Sequence, residues 1–472
     1  MRVSIPLSGP SKQDRIIQCN SQRSINMFAS LKDSGDAKSD VVMYSHPGRL
    51  RIESVGIGPH RANPFKWKGD HYWVSGSEVY KQDTSNNFTL LTTTLSTSGS
   101  RVVFAGGRNY LMLVDGTFGY HTQGSSITKI SDADFPGSPT HVAYLDGYFI
   151  VNDADTDDFY INTTTEDPTG WAALDFATAN ANPDKGLALS VHNKDLYILG
   201  EDSTQMYFNS GNADFPFEAY PGSLSAGIHA PHSVVSSAFG IIWLATNKDG
   251  DLAIAKASGA QTEILSNEEW TEQINSLTTT VDAIAWVRRQ KGRTFYEITF
   301  PAEARTWSYC LDTKMLSELK SYGIDRFSGQ GYGYFNGHHY FGDYRNGLVY
   351  ELSFSTYTDD SDSFIRSRTT RVFHKDGLAL SFRSLILDAD AGVGLITGQG
   401  SDPQVMMKYS VDGGRNWSST LMRSLGAIGK PETKPTWTNL GMGYDWEFEF
   451  SFSDPTRFNL MNLFADIEVC KS

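Results

Sequence analysis

Between residues 61 and 352 the chain repeats one hydrophobic pattern. Two short runs of aromatic and β-branched residues are joined by a polar or glycine-bearing turn. The pattern opens with Trp67-Lys-Gly-Asp-His-Tyr-Trp-Val74 and Val103-Phe-Ala-Gly-Gly-Arg-Asn-Tyr-Leu-Met-Leu-Val114. It recurs at Val142-Ala-Tyr-Leu-Asp-Gly-Tyr-Phe-Ile-Val151, Leu189-Ser-Val-His-Asn-Lys-Asp-Leu-Tyr-Ile-Leu199, 234–244, 284–298 and Tyr334-Phe-Asn-Gly-His-His-Tyr-Phe341. With Tyr72, Leu111, Phe149, Tyr197, Trp243, Phe295 and Tyr340 as equivalent points, the spacings are 39, 38, 48, 46, 52 and 45. A β-patterned repeat of this period predicts propeller blades. Closed rings commonly pair an N-terminal strand with the last blade, which removes the exposed edges, so these seven units predict six or seven blades.

Residues 1–60 lack the repeat. Turn chemistry at Ser8-Gly-Pro10, His46-Pro-Gly48 and Gly56-Ile-Gly-Pro59 flanks one short apolar stretch, Ile25-Asn-Met-Phe28. This predicts an extended N-terminal arm, with Arg23, Arg49 and Arg51 as its outward contacts, ahead of a propeller over 61–355. The polar, acidic Thr356-Tyr-Thr-Asp-Asp-Ser-Asp-Ser363 reads as the boundary. Beyond it, runs at 364–373, 378–387, 405–410, 419–423, 444–453 and 459–469 include strict alternation, as in Trp446-Glu-Phe-Glu-Phe-Ser-Phe452. Short strands at this density predict a C-terminal antiparallel β-sandwich over 364–472. The fold class is therefore all-β. One helical signal stands out at 266–276. Ser266 and Glu269 have capping-box spacing, and Trp270 and Ile274 lie at i, i+4.

Composition narrows the function. The chain of 472 residues has a formal net charge of −14. Tight nucleic-acid binding needs cationic neutralisation of phosphates, so this charge speaks against it. It is compatible with DNA that must slide past without being held. Cys19, Cys310 and Cys470 are too far apart for a zinc site or a disulfide framework. No long apolar run predicts a membrane span, and no apolar signal-peptide core follows Met1, which suggests synthesis in a reducing cytoplasm. The 10 tryptophans and 12% aromatic content suit blade cores, with a minority left for interfaces.

Catalytic constellations do not assemble. Ser223-Leu-Ser-Ala-Gly227 lacks the first glycine of a nucleophile elbow, and adjacent His338 and His339 would point to opposite faces of a strand. Gly56-Ile-Gly-Pro-His-Arg61 and Gly392-Val-Gly-Leu-Ile-Thr397 each lack a third glycine and a following helix. The paired carboxylates Asp359 and Asp360 fall in the boundary segment, where no pocket is expected. The turn Asp153–Asp158 resembles half of a calcium loop, but has Asp158 in place of the glycine and Thr164 in place of the bidentate Glu. It reads as a solvated turn with a weak cation site as the alternative. Ser410-Val-Asp-Gly-Gly-Arg-Asn-Trp417 fits the Asp-box hairpin of sialidase propellers, a structural motif in which Asp bonds the turn amides and Trp packs beneath. It suggests an alternative function, a carbohydrate-binding or glycan-processing propeller. No catalytic, cofactor-binding or metal-binding residue is predicted, and no enzyme activity or cofactor.

The order of short motifs resembles the tail hub, or nozzle, of short-tailed phages, the packaged-DNA stabilisation protein of Salmonella podoviruses. The resemblance runs from Arg23-Ser-Ile-Asn-Met-Phe-Ala-Ser30 through Ser45-His-Pro-Gly-Arg49, Val79-Tyr-Lys81, Arg101-Val-Val-Phe-Ala-Gly-Gly-Arg108 and Ser203-Thr-Gln-Met-Tyr-Phe208 to Gly227 and Lys408-Tyr-Ser-Val-Asp-Gly-Gly414. It implies a structural virion protein in the tail, made in the host cytoplasm. It further implies a homohexamer below the portal and its head-to-tail adaptor, neighbouring the tail fibre or tailspike and the needle or tip protein. Such a ring retains packaged dsDNA and conducts it on ejection. In this picture residues 1–60 contact the adaptor, and acidic sandwich loops line the channel.

Overall fold

The computed structural model describes the chain except residues 13–20, 33–38, 93–94, 98, 155, 180–184, 248 and 471–472. Each predicted unit becomes the start of an antiparallel blade. Blades 1 to 4 are four-stranded and span 65–92, 103–129, 142–178 and 186–224. Blade 5 spans 227–264, and its inner edge is divided between Gly227–Ile228 and Val235–Ser237. Blade 6 is built on 284–318. Blade 7 takes three strands from 329–353 and its fourth, Gly48–Ser54, from the N-terminal region. The first strands of successive blades lie side by side around an axis, and that of blade 7 lies beside that of blade 1. The ring is therefore closed with seven blades, and Gly48–Ser54 supplies the closing strand.

Hydrophobic cores fill the spaces between blades. One joins Trp67 and Tyr72 to Phe104 and Leu113, and the cluster of Val55, Trp73, Phe335, Tyr340 and Val349 seals blade 7 against blade 1. Each sheet is thus covered on both faces, so its strands read as continuous apolar runs rather than alternating ones. Leu111, Met112, Leu113 and Val114 are all fully buried.

The sandwich has alternating strands, as expected, but it is not made from 364–472 alone. One sheet contains Leu460–Val469, Leu380–Ala389 and Thr436–Gly443 together with Met27–Leu31 and Val41–Ser45, and Arg2–Ile5 pairs with Leu460–Val469. The other contains Arg366–Thr369, Glu447–Phe452, Gln404–Ser410 and Leu421–Ser424. Trp437, Trp446, Phe448, Phe450 and Leu463 fill the space between them. Ser24–Ile25 pairs in parallel with blade 6 and antiparallel with Arg366–Thr369, so a single nine-stranded sheet runs from propeller into sandwich.

The free arm expected over 1–60 is therefore corrected. Its strands close the ring, complete the sandwich and weld the two together, because Arg2–Ile5, Ser24–Ile25, Val41–Ser45 and Gly48–Ser54 each pair with a distant strand and Met27–Leu31 extends the sheet from Val41–Ser45. Arg49 does not point outward. It is buried, forms an ion pair with Asp359, donates to the Ser328 hydroxyl and lies over the Tyr350 ring. Arg51 is more exposed but pairs with Asp360, and the Tyr350 hydroxyl also donates to Asp360 at 3.1 Å. The acidic boundary is thus a small hairpin, Thr358–Asp359 with Asp362–Ser363, latched onto the closing strand. Asp359→Ala should leave Arg49 buried without its countercharge and cost about 2 kcal/mol. Limited proteolysis should then cut at 356–363 faster than in wild type, and unchanged cutting would contradict the latch.

The helix is Glu268–Asn275, with Trp270 and Ile274 buried. Its cap is Asn267, whose side chain accepts from Trp270 N, and not Ser266. The Ser266 hydroxyl instead accepts from Ile254 N and from the Thr271 hydroxyl.

Candidate assembly and ligand surfaces

The propeller–sandwich junction is stiffened by charge as well as by backbone pairing. Arg23 grips Glu318 through two bonds of 2.7 and 2.6 Å. Asn26, in the left-handed region at φ 53°, donates to the carbonyls of Lys320 at 2.9 Å and Ile365 at 2.8 Å. Within blade 6, Arg288 and Glu297 form a fully buried pair at 2.6 Å. Arg288 also reaches Gln290 and His46, and Trp286 and Ser308 donate to Glu297. The N-terminal region is thereby tied to the centre of a blade.

The motifs weighed for chemistry are occupied by structure. His338 meets Glu351 at 2.8 Å and His339 meets the Tyr332 hydroxyl at 2.6 Å, so the two rings diverge as the strand requires. A side chain at Gly58, where φ is +73°, would sit 2.1 Å from the Asn346 backbone, and one at Gly392 would sit 2.7 Å from Lys430. Both glycines permit close packing of loops. In the turn Asp153–Asp158, Asp155 lies outside the described residues, Asp153 N donates to the Asp158 carbonyl, and the Thr178 hydroxyl donates to the Asp158 carboxylate. Among the described residues no group of three or more His, Cys, Asp or Glu is placed to hold a metal ion. Cys310 and Cys470 are free thiols, and Cys19 lies outside the described residues.

The Asp-box forms as read. Asp412 accepts from Asn416 N at 2.9 Å, Arg415 N at 3.1 Å and the Ser410 hydroxyl at 2.7 Å, and these bonds pull its pKa down to about 2. Trp417 differs from the expectation. It is 37% exposed and lines a cleft of about 380 Å³ between blade 6 and the sandwich, facing Lys12, Arg23, Glu447 and Glu449. Burial, reinforced by Glu449, pushes Glu447 up to about 7.

Two further surfaces stand open. The first is a cavity of about 410 Å³ along the first strands of blades 1 to 5, with Asn63, Arg101, His141 and His232 among its lining. Sequence reading missed these residues. The available signal was positional: Arg101 and His141 stand just before the first strands of blades 2 and 3, and His232 just before Val235–Ser237 on the divided inner edge of blade 5. The second is a tip of the sandwich where 392–400 and 426–430 pack backbone to backbone, with Gly429 N donating to Gly392 O at 3.2 Å. Ile396 and Ile428 project from it, 84% and 58% exposed, with Leu395 beside them.

A closed propeller sharing a sheet with a β-sandwich defines a two-domain all-β scaffold, in which function resides in surfaces. The chain belongs to the short-tailed phage tail protein family whose models are described as Bacteriophage P22 Gp10, beta-propeller, matched over residues 2–357, and Bacteriophage P22 Gp10, beta-sandwich, matched over 365–468. It is thus a structural virion protein of the tail. No curated protein sequence matches it. Solved structures similar to it include YCF48 bound to D1 peptide, at 12% identity and a TM-score of 0.40 over 66% of this chain and 96% of that one. Virginiamycin B lyase from Staphylococcus aureus with quinupristin matches at 10% and 0.45 over 65% and 98%. BamB from Moraxella catarrhalis matches at 11% and 0.37 over 66% and 97%. Among the described residues no helix is long and apolar enough to cross a membrane.

Proposed function

We propose that this tail protein is the non-enzymatic nozzle, a homohexameric ring that continues the DNA passage below the portal and adaptor, retains the packaged genome and conducts it during ejection. The observation that carries the reading is the family match across both domains. The welded junction supports it, since a conduit under load needs its domains to move as one body. The net charge of −14 suits a passage that must not bind the polyanion it conducts.

A cyclic ring needs head-to-tail contacts between two different patches. The sandwich tip supplies one of them, because exposed Leu395, Ile396 and Ile428 sit on a loop pair held firmly by its own backbone bonds. The adaptor and the tail fibre or tailspike would engage other faces of the ring. Deleting residues 1–30 would not report adaptor docking, since it removes strands from both sandwich sheets.

The test is the double variant Ile396→Asp, Ile428→Asp. Mixed with its adaptor, wild type should give hexameric rings by light scattering and negative-stain imaging. The variant should stay at protomer mass, with its melting temperature within a few degrees of wild type, since both side chains are already in water. Rings of normal yield from the variant would remove the tip from the interface, and a wild-type complex of other stoichiometry would remove the hexamer.

A further inference from the structure

The propeller axis holds a buried guanidinium whose hydrogen-bonding capacity is largely unused. Among the described residues five arginines, Arg61, Arg101, Arg326, Arg366 and Arg368, are buried without a carboxylate ion pair, and they differ in how they are satisfied. Arg326 lies over the Tyr344 ring, reaches Gln330 at 3.4 Å and has Asp343 and Asp282 acting on it, and it stands outside the axial cavity. Arg61 donates to Ser100 O, Gly76 O, Thr97 O and two hydroxyls. Arg366 donates to three carbonyls, and Arg368 to Leu7 O, Pro10 O, Ser24 and Gln22. Arg101 makes two bonds, to Gln330 O at 3.1 Å and Asn63 Oδ1 at 3.0 Å, and it lines the axial cavity. A guanidinium carries five N–H groups in a fork that matches an oxyanion, so Arg101 keeps donors to spare.

Two imidazoles share that cavity. His141 and His232 stack with centroids 5.0 Å apart. Nδ1 of His232 is buried without a hydrogen-bond partner. The charges that act on these three side chains are Arg61 on Arg101, Arg101 and His141 on His232, and no carboxylate. The remaining wall of the cavity is largely apolar, with Phe65, Val103, Tyr144, Leu189 and Val191. Burying a cation without a countercharge is costly, and a bound anion would offset that cost.

We propose that the axial cavity binds a carboxylate on a short apolar stem, held by Arg101 and His232. The charge count favours a carboxylate over phosphate. The site presents one fixed positive charge and two neutral rings, which matches a monoanion, whereas a phosphate near neutral pH carries up to two negative charges. The apolar wall takes the stem.

Calorimetric titration of the full chain at constant ionic strength tests this with butanoate, butanamide and inorganic phosphate as probes. Butanoate should bind saturably, and butanamide and phosphate should bind at least 10-fold more weakly. Arg101→Gln should weaken butanoate at least 10-fold, while Arg383→Gln, an exposed arginine paired with Glu468, should leave it unchanged. If Arg101→Gln fails to fold, the ring-proton resonances of His141 and His232 in wild type decide: saturable shifts with butanoate support the site. Butanamide binding as tightly as butanoate, no saturable binding, or an Arg101→Gln affinity equal to wild type overturns the proposal. Phosphate binding more tightly than butanoate overturns the choice of carboxylate.

Discussion

Glu297→Ala is expected to destabilise the protein by about 3–5 kcal/mol, the usual cost of leaving one member of a buried ion pair unopposed. Both partners are 1% exposed, so water cannot solvate the Arg288 charge that remains. The same substitution removes the acceptor of the Trp286 and Ser308 donors. Its effect should spread to the N-terminal region, because Arg288 also meets His46, which bonds Ser317 in turn. Urea unfolding reads the loss as a lower midpoint. The double variant Arg288→Met, Glu297→Leu should recover part of it, since an apolar pair of similar volume avoids both desolvation penalties. A single variant within about 1 kcal/mol of wild type would show that the charge finds solvent or another partner.

Acid should unfold this protein from the histidine side. His60, His71 and His141 are buried, and burial lowers each from 6.5 to about 4. His46 and His232 are held well below 6.5 for the same reason, with Arg288 acting on the first and His141 and Arg101 on the second. The unfolded chain takes up these protons near pH 6.5 and the folded chain does not until about pH 4. The histidine contribution to stability is therefore full above pH 6.5 and falls as pH drops from there towards 4. Each such histidine contributes about 1.4 kcal/mol per pH unit in that window, so the first three give a slope of about 4 kcal/mol per unit. Glu447 acts in the opposite sense. Raised from 4.5 to about 7, it stabilises the fold at low pH and loses that contribution as pH rises through 7, so it offsets roughly one histidine between pH 4.5 and 7. Urea midpoints at pH 7.5, 6 and 5 measure the net slope. A flat profile would mean that the buried rings are protonated in the fold.

The correspondence between sequence and structure is uneven, and it follows the burial pattern. The blade seeds were legible because each inner strand pair is covered on both sides, which forces runs such as Leu111-Met-Leu-Val114. The sandwich was legible where one face is wet, as along Glu447–Phe452 with Phe448, Phe450 and Phe452 inward. Thr436–Gly443 escaped notice: only Trp437, Leu440 and Gly443 are buried, and a register shift between Phe382 and Ser384 breaks the alternation. Arg2–Ile5 and Val41–Ser45 escaped because each joins the sheet through Leu460–Val469, hundreds of residues away, and Met27–Leu31 enters it only by pairing with Val41–Ser45. The acidic composition of 356–363 suggested a domain boundary with no pocket, yet Asp359 became the buried countercharge of Arg49.

By itself the sequence determined the repeated pairs of apolar runs, hence blades, a second all-β unit after residue 363 and the helix around Trp270. Hydrophobic periodicity is a local property and is written where it acts. Tertiary structure decided that the ring has seven blades, that residues 1–60 belong to both domains, and that Arg101, His141 and His232 meet at the axis. Backbone pairing has no residue code for its partner, and side chains that converge on an axis are brought together only when the ring closes.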